Sequence, residues 1–218
     1  GRYEDPTEAA AAVRAVRRRE LFRISAADVL GLVDVDAVGM ALSDVSRATI
    51  EGGLAAAVRA IEGERRWKLP TRLLVMGMGR LGGHEVGYAS DADVMFVHAP
   101  LRSAREQDAA GAALAVANEL RRLLSLPAAD PPLIVDADLR PEGRQGPLVR
   151  TFASYEAYYE RWADLWERQA LLRADYVAGD VALGERFGAL IEPLRYSPDG
   201  LTDEEIREIR RIKSRMEA

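Results

Sequence analysis

Two short apolar runs, Leu73-Leu-Val-Met76 and Val94-Met-Phe-Val97, enclose a stretch in which five of the eleven residues from Gly77 to Gly87 are glycine. An apolar run of this length halted by glycine suits a strand buried on both faces. Glycine at such density rules out a long helix between the two strands. The chain must therefore turn tightly out of the first strand and enter the second within a few residues. Gly77, Gly79 and Gly82 spell G-x-G-x-x-G after the first run, the pattern of a dinucleotide-binding turn. That fold needs a helix before the next strand and an acid about 20 residues beyond the glycines. Gly82, Gly83 and Gly87 would interrupt the helix, so the dinucleotide reading is set aside.

The second run begins beside Asp91 and Asp93, which alternate with Ala92. Residues i and i+2 of a strand lie about 6.5 to 7 Å apart on one side, so both carboxylates can converge on one divalent ion or a pair of ions. A third apolar run, Leu133-Ile-Val135, leads into Asp136, which is placed to add a carboxylate from a neighbouring strand. The chain has no cysteine, and His84 and His98 are its only histidines. A metal would therefore sit on carboxylate oxygens, the donor set of a hard cation such as Mg²⁺. Upstream, the N–H groups of the Gly77 and Gly79 turn and the Arg80 guanidinium can hold phosphates, with Ser90 a further candidate. These are the parts of a nucleotidyl-transfer site.

The flanks read as helix. Residues 7 to about 64 are rich in Ala, Leu, Val, Arg and Glu, punctuated near Gly31 and Asp36, and Pro70 closes them. Helix returns over 104–125, over 154 to about 178 and over 181–191, and Thr202 caps a last helix. Ile206, Ile209, Ile212 and Met216 should form its buried stripe. The expected organisation is a helical segment at 1–69, a sheet core at 70–150 and C-terminal helices at 151–218 packing on that core. The fold class is α+β with a small mixed sheet.

With 30 Lys+Arg against 35 Asp+Glu, the net charge of −5 argues against nucleic acid or an anionic membrane as partner. No apolar run reaches the roughly 20 residues of a membrane span, and a cytoplasmic location is expected. The chain opens without methionine and stops inside a helical pattern, which suggests a piece of a longer polypeptide.

Spacing and order resemble the polymerase-beta nucleotidyltransferase superfamily, whose pattern is a Gly-Ser turn, Asp-x-Asp on a strand and a distant third Asp. Arg80 stands here where most members carry Ser. The longer string Gly77-Met-Gly-Arg-Leu-Gly-Gly-His-Glu-Val-Gly-Tyr-Ala-Ser-Asp-Ala-Asp93, with Val135-Asp-Ala-Asp-Leu-Arg-Pro-Glu-Gly-Arg-Gln-Gly-Pro-Leu-Val149, resembles the bacterial glutamine synthetase adenylyltransferase/adenylyl-removing family. Trp166-Glu-Arg-Gln-Ala-Leu-Leu-Arg173, Ile209-Arg-Arg-Ile-Lys-Ser-Arg215 and Glu20 to Gly31 extend the likeness over nearly the whole chain. Members carry two such domains, one removing AMP from glutamine synthetase and one attaching it. Gly87-Tyr88, the Arg23-Ile-x-x-Ala-Asp28 helix and Trp166-Glu-x-Gln resemble the attaching domain.

The resemblance implies transfer of AMP from ATP to a tyrosine hydroxyl of glutamine synthetase, with pyrophosphate released. Asp91, Asp93 and Asp136 would be the catalytic and metal-binding acids, holding Mg²⁺ or Mn²⁺. Asp136 is preferred to Asp138 because the family keeps an acid at the former. A PII-type signal protein is implied as a partner of the full-length enzyme. Phosphorolytic removal of AMP is the first alternative. A nucleotide-binding regulatory module, silent when excised, is the second.

Several residues have plainer readings. Arg80, Arg140 and Arg144 are nucleotide-binding candidates, with surface pairing to carboxylates as the alternative. Trp166, Leu171 and Leu172 should be core, while Glu167, Gln169 and Arg173 either face the cleft or support it. Lys213 belongs to a solvated helix face, as do Arg14, Arg17, Arg18 and Arg19. His84 receives no catalytic duty.

Overall fold

The computed structural model describes residues 3–162, 164–196 and 200–216. Two long helices form the front, α1 (Pro6–Val29) and α2 (Val35–Arg65). Asp5 caps α1 by accepting the Thr7 and Glu8 amides, and Asp34 caps α2 through the Ala37 amide. The chain then runs through β1 (Thr71–Gly77), the single turn α3 (Gly79–Gly82), β2 (Ala92–Pro100), α4 (Glu106–Ser125), β3 (Val135–Asp136) and β4 (Val149–Thr151). It ends with α5 (Phe152–Trp162), α6 (Leu165–Leu171), β5 (Asp175–Gly179), α7 (Val181–Arg195) and α8 (Asp203–Met216).

The sheet is mixed, as expected. Its order is β3-β2-β1-β5, with β4 also pairing with β2. β1 lies antiparallel to β2 and β5, whereas β3 and β4 run parallel to β2. Strand alternation divides the core in two. Leu73, Val75, Val94 and Phe96 pack with residues of α2 and α4, including Ile50, Leu54, Leu120 and Leu124. Leu74, Met76, Met95 and Val97 meet Tyr155, Tyr159, Leu183 and Phe187 from α5 and α7. Burial on both faces is why β1 and β2 read as continuous apolar runs rather than alternating ones.

The helix expected over 154–178 is three elements. Asp164 and Glu167 explain the break, because the Glu167 carboxylate turns back to accept the Asp164 amide at 3.0 Å and so starts α6 afresh. Beyond α6 the chain extends into β5, which closes the free edge of β1. Trp166 is half-buried and Leu172 is 45% exposed, so of the three residues expected in the core only Leu171 is there. Thr202 does cap α8, its hydroxyl accepting the Glu205 amide at 3.2 Å. Ile206, Ile209 and Ile212 are half-buried rather than buried, and the Met216 side chain lies outside the described residues.

Arg14 and Arg17 do not lie on a solvated face. They are 3% and 7% exposed and donate to the carbonyls of Leu126, Asp130, Pro131 and Pro132. Proline has no N–H and this segment forms no ladder, so α1 satisfies its carbonyls instead. Burial, together with the neighbouring Arg14 charge, lowers the pKa of Arg17. Arg18 adds an ion pair to Asp130 at 3.0 Å, whereas Arg19, 73% exposed at its side chain, fits the solvated expectation. The clamp fixes the lead into β3, which a two-residue strand cannot do alone. Arg14→Ala is expected to cost about 2–4 kcal/mol by orphaning buried carbonyls. Arg19→Ala should stay within about 0.5 kcal/mol, and urea denaturation of the two variants checks the contrast.

Candidate active site

β1 ends at Gly77, whose partner on β2 is Val94, and the Met78 amide donates to the Asp93 carbonyl at 2.8 Å. That bond brings the glycine turn against the head of β2. Gly79 has φ +50°, and a Cβ there would lie 2.4 Å from Asp93 Oδ2. Both its conformation and its closeness to the carboxylate require glycine. The turn continues through α3, with the Glu85 amide bonded to the Arg80 carbonyl at 2.8 Å. Ser90 Oγ accepts the Gly87 amide at 3.0 Å and lies 3.5 Å from Arg80 Nη1, so it braces the loop beside Asp91.

β3 pairs in parallel with the start of β2, placing Asp136 opposite Asp93. The expected union of these two acids on neighbouring strands is present. β3 is held there by the Ala92 amide on the Ile134 carbonyl at 2.8 Å and by Arg121 Nε on the Val135 carbonyl at 3.2 Å. Asp93 shares the face of Met95 and Val97, away from α2 and α4 and toward α6. Asp91 precedes β2 and is exposed at the mouth, while Asp93 and Asp136 are half-buried.

Asp136 Oδ1 accepts the Asp138 amide at 2.7 Å, which orients its carboxylate. Asp138 is engaged elsewhere. It pairs with Arg144 at 2.5 Å and Arg140 at 3.5 Å, and the Arg144 hydrogen bond lowers its pKa. Arg140 is buried and spends its guanidinium on the carbonyls of Ala137, Arg144 and Gly146. It folds the loop after β3, and Arg144 lies exposed at that loop's surface.

Asp93 carries the electrostatic signature of the site. Burial raises its pKa to about 6, helped by the charges of Asp136 and Asp91 and opposed by Arg80. Among the described residues no three His, Cys, Asp or Glu side chains stand together at ligating distance. An all-oxygen set with unrelieved negative charge fits a hard divalent cation, which would gather the carboxylates.

Beside the acids, reached through Gly79 at the Asp93 carboxylate, lies a cleft of about 870 Å³ lined by Gly79, Leu139, residues of α6, Arg173 and residues of α8. Gln169 and Arg173 look into it, as one sequence reading expected, and so does Trp166. Glu167 does not. It is 4% exposed and accepts hydrogen bonds from the Tyr158 hydroxyl and the Asp164 amide, so its role is support. His84, at φ +58°, bonds Asp175 at 3.1 Å, and Arg47 bonds the same carboxylate at 2.8 Å. Arg173 meets Glu85 at 2.7 Å. These pairs tie the glycine loop to β5 and the end of α6. No local pattern marks Arg47, because its partner is 128 residues away.

A mixed sheet with this glycine turn beside acid-bearing strands is an α+β nucleotidyltransferase-like core. A family model described as glutamate-ammonia ligase adenylyltransferase matches residues 2–190, and the chain belongs to that family. It is 55% identical over 230 residues to a bifunctional glutamine synthetase adenylyltransferase/adenylyl-removing enzyme of Streptomyces coelicolor, covering 100% of this chain and 23% of that protein. Proteins of the same description from Mycobacterium avium and Mycobacterium tuberculosis are 53% and 51% identical, again over 100% of this chain and 22% of theirs. The chain thus spans under a quarter of the length of the curated relatives it matches. Among the described residues no helix is long and apolar enough to cross a membrane.

Proposed function

We propose that this domain transfers AMP from ATP to a tyrosine hydroxyl of glutamine synthetase and releases pyrophosphate. The observation that carries the reading is the pairing of Asp93 with Asp136 directly against the Gly79 turn, in a chain whose relatives are named for this reaction. Asp91, Asp93 and Asp136 would hold Mg²⁺ or Mn²⁺. When bound, the metal supplies neutralisation of the triphosphate and acidification of the attacking hydroxyl. The Gly77 and Gly79 turn lets the backbone approach the phosphates, and Arg80 adds positive charge beside them. The tyrosine oxygen forms a bond to the α-phosphorus as the bond to the β-phosphate oxygen breaks. Asp136 takes the tyrosine proton and the electron pair leaves with pyrophosphate. Arg140 and Arg144 would act by shaping the loop that carries Asp136.

Attachment is preferred to removal because Gly87-Tyr88, the helix at 23–28 and Trp166-Glu-x-Gln resemble the attaching domain. Tyr88 Oη donates to Asp28 Oδ2 at 2.9 Å, joining two of the segments that resemble the attaching domain. Regulation by PII-type proteins would pass through the remainder of a longer polypeptide, in the cytoplasm. Incubation with unmodified glutamine synthetase, Mg²⁺ and ATP should add one AMP per modified subunit by intact mass. Asp93→Ala should slow the transfer about 10³-fold or more. Loss of AMP from pre-modified synthetase on adding phosphate, with no gain in the forward assay, would reverse the direction. Silence in both would favour a regulatory module.

A further inference from the structure

The cleft has two chemically distinct ends, and α6 sets their order. Trp166, Gln169, Ala170 and Arg173 all line it, at the i, i+3, i+4 and i+7 spacing of one helical face continued just past the last turn. At about 1.5 Å per residue this face runs roughly 10 Å from Trp166 to Arg173. The Arg173 end is the phosphate end. Its guanidinium pairs with Glu85 of the glycine loop, and its carbonyl lies so close to Gly82 that a Cβ there would stand 1.8 Å away. The Trp166 end lies a full face away along the same cleft, which Leu139 and Ile212 also line. Neither the Trp166 indole N–H nor the Gln169 carboxamide makes a hydrogen bond among the described residues.

We propose that Trp166 and Gln169 form the base site of the cleft, with the adenine stacked on the indole and read by the Gln169 carboxamide. This rests on ATP being the nucleotide of the proposed reaction. A cleft of about 870 Å³ is within the range that holds a nucleotide. The indole offers a broad π-face to the ring. A carboxamide presents one acceptor and one donor side by side, the complement of the adenine N6 amino group and N7. Guanine places an acceptor at O6 next to N7, so the Gln169 oxygen would face another acceptor. Gln169 is thus the residue that selects adenine over guanine.

The test uses Trp67→Phe/Trp162→Phe protein, which leaves Trp166 as its single tryptophan. Mg²⁺–ATP should quench its emission and Mg²⁺–tripolyphosphate should not, while calorimetry registers both ligands. In the parent background Gln169→Ala should cut the ATP-over-GTP affinity ratio about tenfold. Trp166→Ala should weaken both nucleotides about tenfold. Tripolyphosphate affinity should hold in both variants, which also reports that they fold. If ATP binds with Trp166 emission unmoved and the ATP:GTP ratio unchanged in Gln169→Ala, the base lies elsewhere and only the inference falls. If neither ATP nor tripolyphosphate binds at millimolar concentration, the reading of the cleft as a nucleotide site falls and the inference with it.

Discussion

Asp93→Asn protein, freed of divalent metal by EDTA, is expected to be more stable than the parent at pH 7.5 while losing AMP transfer. The pKa of Asp93 in the folded chain is about 6 against 3.8 for the unperturbed group, with burial the main cause and Asp136 and Asp91 adding to it. Between those two values the folded protein keeps a proton that the unfolded chain has released. Stability therefore falls as pH rises from about 4 to 6, and above 6 the whole cost is present. At 1.36 kcal/mol per pH unit the gap would approach 3 kcal/mol. Solvent screening at a half-exposed carboxylate brings the expected gain of the asparagine variant to about 1–2 kcal/mol. Urea denaturation should show that gain at pH 7.5 and lose it at pH 4. Mg²⁺ should then raise the parent's melting temperature more than the variant's, because the variant lacks a ligand. Equal stabilities at both pH values would show that Asp93 carries no such charge burden. On the proposed reaction, stability is sacrificed here for a charge that the transfer would require.

The sheet was legible where burial on both faces imposed an unbroken apolar run, as in Leu73 to Met76 and Val94 to Val97. It was illegible at β4, which has three residues, and at β5, whose Asp175-Tyr-Val-Ala-Gly179 continues the Leu and aromatic spacing of the preceding helix. A signal for the break was present in Asp164-Leu-Trp-Glu167, which has the Asp-x-x-Glu form of a helix start. The pairing of Asp93 with Asp136 could be anticipated because each heads or ends an apolar run. The burial of Arg14 and Arg17 could not, since their carbonyl partners lie 112 to 116 residues on. Nothing local distinguishes an arginine that clamps a proline-rich loop from one that faces water. Arg140 poses the same difficulty: its use on Ala137, Arg144 and Gly146 depends on a loop that folds around it.

Gly82→Ala should cost more than about 3 kcal/mol or prevent folding outright. The glycines of the turn look alike in sequence but do different work. Gly79 needs its positive φ and its nearness to Asp93, whereas Gly82 is wedged between two backbone segments. A Cβ on Gly82 would lie 1.8 Å from the Arg173 carbonyl oxygen and 2.4 Å from that of Gly77. Neither obstacle is the end of a flexible side chain, so relief requires moving β1 or the link from α6 to β5. Those are the elements that seat the turn and the Arg173 end of the cleft, and both are fixed further by the ladder of β1 with β5. Overpacking of this kind belongs among the large single-site effects. Gly111→Ala is the matched contrast. Gly111 is exposed on α4 with nothing within 4 Å of a new Cβ, so the same substitution there should stabilise by about 0.5–1 kcal/mol. Soluble yield and urea midpoints of the two variants separate the cases. A Gly82→Ala protein with the parent's midpoint would mean that the turn does not pack against the α6–β5 link, and the orientation assigned to the cleft would lose its anchor.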